Sequence, residues 1–146
     1  MSDVTISTLN SLIETCRDGE EGFRTAAAAL KDLQTKSRFQ EFARQRAEMV
    51  RQLQEEVRRL GGDPEQTGSV SASIHRGWMS IKSVVTGGDD KAIVSEAERG
   101  EDVAKRVFED ALQAALPPST LSLVQQQAAQ VRAVHDKVRD MELALR

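Results

Sequence analysis

The chain has 146 residues, enough for one sizeable core, and is expected to form a single domain over residues 1-146. It is 39% hydrophobic and 29% charged, with 3 Pro, 4 Phe, 1 Trp and no Tyr, a profile that fits an all-helical protein better than a β-sandwich. Its formal net charge of −3 gives no support for nucleic-acid binding, and no apolar run approaches the roughly 18 residues that cross a membrane.

The opening Met1-Ser2-Asp3-Val4-Thr5 lacks the basic-then-apolar pattern of a signal peptide. A lone Cys16 excludes an internal disulfide. The expected compartment is therefore the reducing cytoplasm.

The first helix is expected to begin near Ser7 or Thr8, where a hydroxyl can cap free backbone N–H groups. Its apolar stripe reads Leu9, Ile13, Cys16, Glu20, Phe23, Ala27, Leu30, in alternating steps of four and three. The pattern breaks around Lys31-Asp32. A second helix follows, striped by Phe39, Ala43, Arg46, Val50, Leu53, Val57 and Leu60, and Gly61-Gly62 ends it.

Residues 61–88 form a long connection. Within it, Ile74, Trp78, Ile81 and Val85 keep helical spacing and predict a short amphipathic helix, closed by Gly87-Gly88. Asp89 or Asp90 caps the next long helix, whose stripe is Val94, Ala97, Glu101, Ala104, Phe108, Ala111, Ala115. Leu116-Pro117-Pro118 is expected to stop it, because a residue before proline avoids the α region. Pro118 suits the first turn of a last helix striped by Leu121, Val124, Ala128, Val131, His135 and Val138. Two tight hairpins and one long middle connection predict a four-helix bundle with a crossover between its second and third long helices.

Each stripe passes through one ionisable residue: Glu20, Arg46, Glu101 or His135. In antiparallel hairpins, residues equidistant from the turn lie level. Glu20 and Arg46 are centred on the break near Lys31-Asp32, and Glu101 and His135 on the Pro-Pro turn. One reading is a structural salt-bridge cluster of all four that fixes helix register, with Arg46 as the cation for Glu20 and for Glu101. Another is a metal site from Glu20, Glu101 and His135, since oxygen and imidazole ligands suit iron or manganese. Other stripes are possible: Ile93, Ala97, Gly100, Ala104 and Val107 leave Glu101 at an edge, and Val124, Val131, Val134, Val138 and Met141 do the same for His135.

Six segments stand out: Leu9-Asn10-Ser11-Leu12-Ile13-Glu14, Asp18-Gly19-Glu20-Glu21-Gly22-Phe23 and Arg58-Arg59-Leu60-Gly61-Gly62-Asp63-Pro64, then His75-Arg76-Gly77-Trp78-Met79, Glu98-Arg99-Gly100-Glu101-Asp102 and His135-Asp136. Together they resemble an uncharacterised bacterial ferritin-like family of four-helix-bundle proteins. The resemblance implies a ferritin-like bundle and a domain of unknown function linked in bacteria to stress responses. Metal-binding members of that superfamily use one Glu from each of two helices and a Glu-x-x-His from each of the other two. Glu20 and Glu101 match the single-Glu positions. The second helix departs, offering Gln45-Arg46-Ala47-Glu48 and no histidine, and Arg132-Ala133-Val134-His135 keeps the His without the Glu.

Trp78 is expected to anchor the connector against the bundle, with His75 beside it as a cap or surface group. Cys16 reads as a small core residue. Glu96, Glu98 and Asp102 are expected on a solvated face with Arg99 and Lys105, and Gln125 to Gln130 in solvent or at a dimer contact. The interleaved Arg and Glu of the second helix read as a salt-bridged exposed face. The functional expectation is a non-catalytic, structural or stress-associated bundle. The alternative is an iron- or manganese-binding protein of metal or oxygen chemistry, and a third reading is a homodimeric partner-binding module.

Overall fold

A computed structural model describes residues 3–64 and 77–145. Among these residues the chain forms five helices and no strand: α1 (Asp3–Ala29), α2 (Leu33–Arg59), α3 (Ile81–Gly87), α4 (Asp90–Ala111) and α5 (Pro118–Ala144). The arrangement is consistent with a helical bundle, and no described helix is long and apolar enough to cross a membrane.

α1 starts before the expected Ser7 or Thr8. Thr5 is buried one turn ahead of Leu9, so the packed face continues through the hydroxyl residues and they do not cap it. Asp32 caps α2 by accepting the Thr35 N–H at 2.9 Å. The Asp90 carboxylate accepts the N–H groups of Lys31 at 2.9 Å and Asp32 at 3.0 Å, which ties the α1–α2 turn to the start of α4.

At the opposite end, α2 closes as its sequence predicts. Gly61 has φ of +85°, the Gly61 N–H bonds the Arg58 carbonyl and the Gly62 N–H bonds the Val57 carbonyl. That pairing is a Schellman motif, and only glycine takes its left-handed position cheaply. Gly62 lies against Ile6, and Asn10 Nδ2 donates to the Asp63 carbonyl at 3.4 Å, so α2 ends where α1 begins. α2 and α4 therefore run the same way.

Trp78 does not belong to the short helix. It sits in the preceding turn, residues 77–80, and α3 contributes Ile81 to the core. Ile74 and His75 lie outside the described residues. α3 ends at Gly88, with φ of +74°, and Asp89 caps α4. α4 stops at Ala111, short of the expected Leu116. Its last turn tightens through Gln113 N–H to Asp110 O and Ala114 N–H to Ala111 O, and Ala115 is exposed, so no burial sustains another helical turn.

The core consists of two apolar clusters. One holds Phe23, Phe39, Phe42, Trp78, Ile93, Ala97 and Val134; the other holds Leu9, Cys16, Met49, Leu53, Ala104, Phe108 and Val131. Between them along α2 and α4 come Arg46 and Glu101, both fully buried. The apolar core is thus divided by a layer of charge.

Candidate functional site

Arg46 reaches that layer from α2 and Glu101 from α4. Arg46 Nη1 donates to Glu101 Oε2 at 2.9 Å and Nη2 donates to Oε1, so guanidinium and carboxylate meet fork to fork. The guanidinium carbon lies 5.6 Å from the centroid of the Phe23 ring, within range of a cation–π contact. Burial works against the charge of Arg46. The charge and hydrogen bonds of Glu101 outweigh it and hold Arg46 above its ordinary pKa.

Space for the guanidinium comes from α1. A Cβ on Gly19 would stand 2.6 Å from Arg46 Nη1, so this turn of α1 has no side chain on its inner face. Cys16, fully buried nearby, has its thiol pushed up to about 12 by burial, with the charge of Arg46 pulling the other way. Such a thiol is a core residue and a poor nucleophile.

The other two seam residues are not brought to the pair. On α1 the inner positions run Cys16, Gly19, Phe23, and Glu20 is turned one residue away to the rim. There it binds Arg24 at 2.5 Å. His135 is 5% exposed and faces the neighbouring residue of Glu101: its Nε2 lies 2.6 Å from Asp102 Oδ1 and its Nδ1 3.1 Å from Asp136 Oδ1. The hydrogen bond from His135 holds the Asp136 carboxyl below its usual range, against slight desolvation and with help from Arg139. A pair thus occupies the layer in which the sequence pattern allowed four residues.

Glu20, Glu101 and His135 do not fit an iron or manganese ligand set. Both oxygens of Glu101 face Arg46, Glu20 faces Arg24, and both ring nitrogens of His135 face carboxylates. Among the described residues no group of three or more His, Cys, Asp or Glu is placed to hold a metal ion.

A second construction abuts the pair. Trp78 is 2% exposed and its indole lies between Gly22 of α1 and Gly100 of α4, either of which would drive a Cβ into the ring. It meets Phe23 edge to face, with centroids 5.0 Å apart. Gly22 and Gly100 are where the turn enters the bundle, and the signal for them was glycine inside an amphipathic helical pattern.

Two other residues depart from their expected places. Glu96 is 1% exposed and not on a solvated face: Oε2 accepts the Ser80 N–H at 2.7 Å and Oε1 accepts from Arg99. Gln127 is fully buried and not in solvent, with Nε2 donating to the Met49 carbonyl at 3.2 Å and Gln52 Oε1 at 2.9 Å. Each buried side chain reaches a backbone group, the Ser80 N–H for Glu96 and the Met49 carbonyl for Gln127.

A family model described as a domain of unknown function, DUF2383, matches residues 4–114. That stretch covers most of the chain, from α1 through α4, with Arg46, Glu101, Trp78 and the three glycines around them. It stops short of α5 and His135. Comparison with curated proteins gave no match.

Proposed function

Since the chain belongs to this family of unknown function, we propose that it is a ferritin-like four-helix bundle, one domain throughout, with a structural or stress-associated role in the bacterial cytoplasm and no catalysis of its own. The observation that carries this reading is the Arg46–Glu101 pair. Its cation sits in the layer where a ferritin-like metal centre would need open carboxylate oxygens, and both oxygens of Glu101 are engaged. The common direction of α2 and α4, with the chain returning between them, supports the crossover topology.

The test is metal analysis of protein purified after iron and manganese supplementation, with anomalous diffraction at the layer. An Arg46 guanidinium there with no bound ion supports the structural reading. Stoichiometric metal on Glu20 and Glu101, with Arg46 displaced, would sink it and establish the metal-handling alternative. Sedimentation at physiological concentration tests whether a second copy pairs through a bundle face.

A further inference from the structure

A cavity of about 420 Å³ opens on the outer side of α4, between it and the turn that carries Trp78. Its volume falls in the range of small-molecule sites. Gly77, Met79 and Val103 form its apolar walls, and Ser80, Arg99 and Arg106 supply donors. Gly77 leaves one wall bare by necessity: at φ of +79° a Cβ there would come within 2.9 Å of Val103 and 3.0 Å of the Gly100 backbone.

The donors are organised by one buried carboxylate. Glu96 takes Arg99 Nε and Nη2 on one oxygen and the Ser80 N–H on the other. It therefore fixes the guanidinium plane and the start of α3 together. Arg99 remains 60% exposed, with Nη1 still free of Glu96, and Ser80 is also exposed. Two turns along α4, roughly 10 Å away at 1.5 Å per residue, stands exposed Arg106, which makes no ion pair among the described residues.

Both acidic residues of the lining have hydrogen-bond partners: Glu96 is bound by Arg99 through Nε and Nη2, and Asp102 lies 2.6 Å from His135 Nε2. Arg106 is the cation of the lining that makes no ion pair among the described residues.

The geometry points to this cavity as a binding site for a small anion bearing phosphate or carboxylate groups, gripped by Arg99 and Arg106 with Glu96 as the positioning residue. The site is independent of the Arg46–Glu101 layer and of the structural role proposed above. Arginine forks suit both oxyanion types, and a ligand with two anionic ends spans the two guanidiniums where inorganic phosphate reaches one.

The test is a titration of the full 15N-labelled chain with sodium phosphate, pyrophosphate and citrate at constant ionic strength, with sodium chloride as the matched control. Saturable shifts are expected at the Arg99 and Arg106 Nε–Hε groups and at the Gly77 and Ser80 amides. Pyrophosphate against citrate separates a phosphoryl ligand from a carboxylate one, and both should bind more tightly than phosphate. Arg106→Gln, an exposed substitution, is expected to weaken binding about tenfold or more while leaving the thermal midpoint and Trp78 fluorescence unchanged. Glu96→Gln is expected to move the Arg99 Nε–Hε resonance before any anion is added and to lower affinity, an effect that disappears in the Arg99→Gln background. Linear shifts matching those of chloride, or affinity unchanged in Arg106→Gln, would overturn the assignment.

Discussion

Replacing Arg46 by methionine tests the charged layer directly, because it leaves the fully buried Glu101 without its cation. Neither side chain of the pair is exposed at all, so solvent offers no screening to discount. Removing one partner of such a pair costs about 3–5 kcal/mol, most of it the penalty of stranding the other charge. Glu101→Leu, which strands Arg46, is expected to cost a similar amount. The double variant Arg46→Met/Glu101→Leu strands nothing, and Arg46 Nε, buried without a hydrogen-bond partner, is relieved as well. Its stability is expected to fall between that of the wild type and about 1–4 kcal/mol above it. The assay is urea unfolding followed by circular dichroism and by the fluorescence of the single Trp78. With a slope of about 2 kcal/mol per molar, each single variant loses roughly 1.5–2.5 M in midpoint. A single variant within about 1 kcal/mol of wild type would refute the reasoning, as would a double variant no better than the singles.

Gly22→Ala and Gly100→Ala each push a Cβ into the Trp78 indole, so each is expected to cost about 1–3 kcal/mol and to red-shift Trp78 emission. An unshifted spectrum in both would show that the indole is not clamped there. Glu56 has its carboxyl held below the usual range, first by hydrogen bonding from Arg59 against desolvation, then by Thr120. Asp136 is held low by His135. Because both folded-state values are depressed, their stabilisation is present above the ordinary carboxylate range and lost as pH falls through the folded values. Glu56→Gln is expected to flatten the acid limb of a stability–pH curve, and an unchanged limb would count against the hydrogen bonds that Arg59 and Thr120 donate to Glu56. Cys16, buried and raised to about 12, is expected to resist a thiol reagent near pH 8 in the folded protein and to react fully in denaturant. Rapid labelling of the native chain would contradict its burial.

The long helices and the glycine-marked ends were legible in the sequence because they depend on local chemistry, whereas the starts of α1 and α3 and the end of α4 were not. Asp89, one of two expected caps, caps α4, Gly61 and Gly88 terminate, and the stripes of α1 and α2 name most of the buried apolar residues. Arg46 and Glu101 were legible too, since an ionisable residue within an apolar stripe marks itself. Their pairing was legible only as one of two, since Arg46 stood as the cation for Glu20 and for Glu101, and the structure gives it Glu101 alone. Level arithmetic along a hairpin set Glu20 beside Arg46 and Glu101 beside His135, whereas an arginine side chain reaches across helices and toward the N-terminal end of its own.

Two residues show what divides the readable from the unreadable. Periodicity tolerates either Gly19 or Glu20 on the inner face of α1, since they differ by one residue on a stripe that steps by three and four. Only the arrival of the Arg46 guanidinium decides for glycine, by filling the volume a Cβ would need. Likewise, the charge pattern of α4 reads as solvated at Glu96 until the Ser80 N–H requires an acceptor there. The sequence by itself determined which segments are helical and which residue types lie near the seam. Tertiary structure alone decided which charges meet, because that choice turns on side-chain reach and on the space left by glycines far away in the chain.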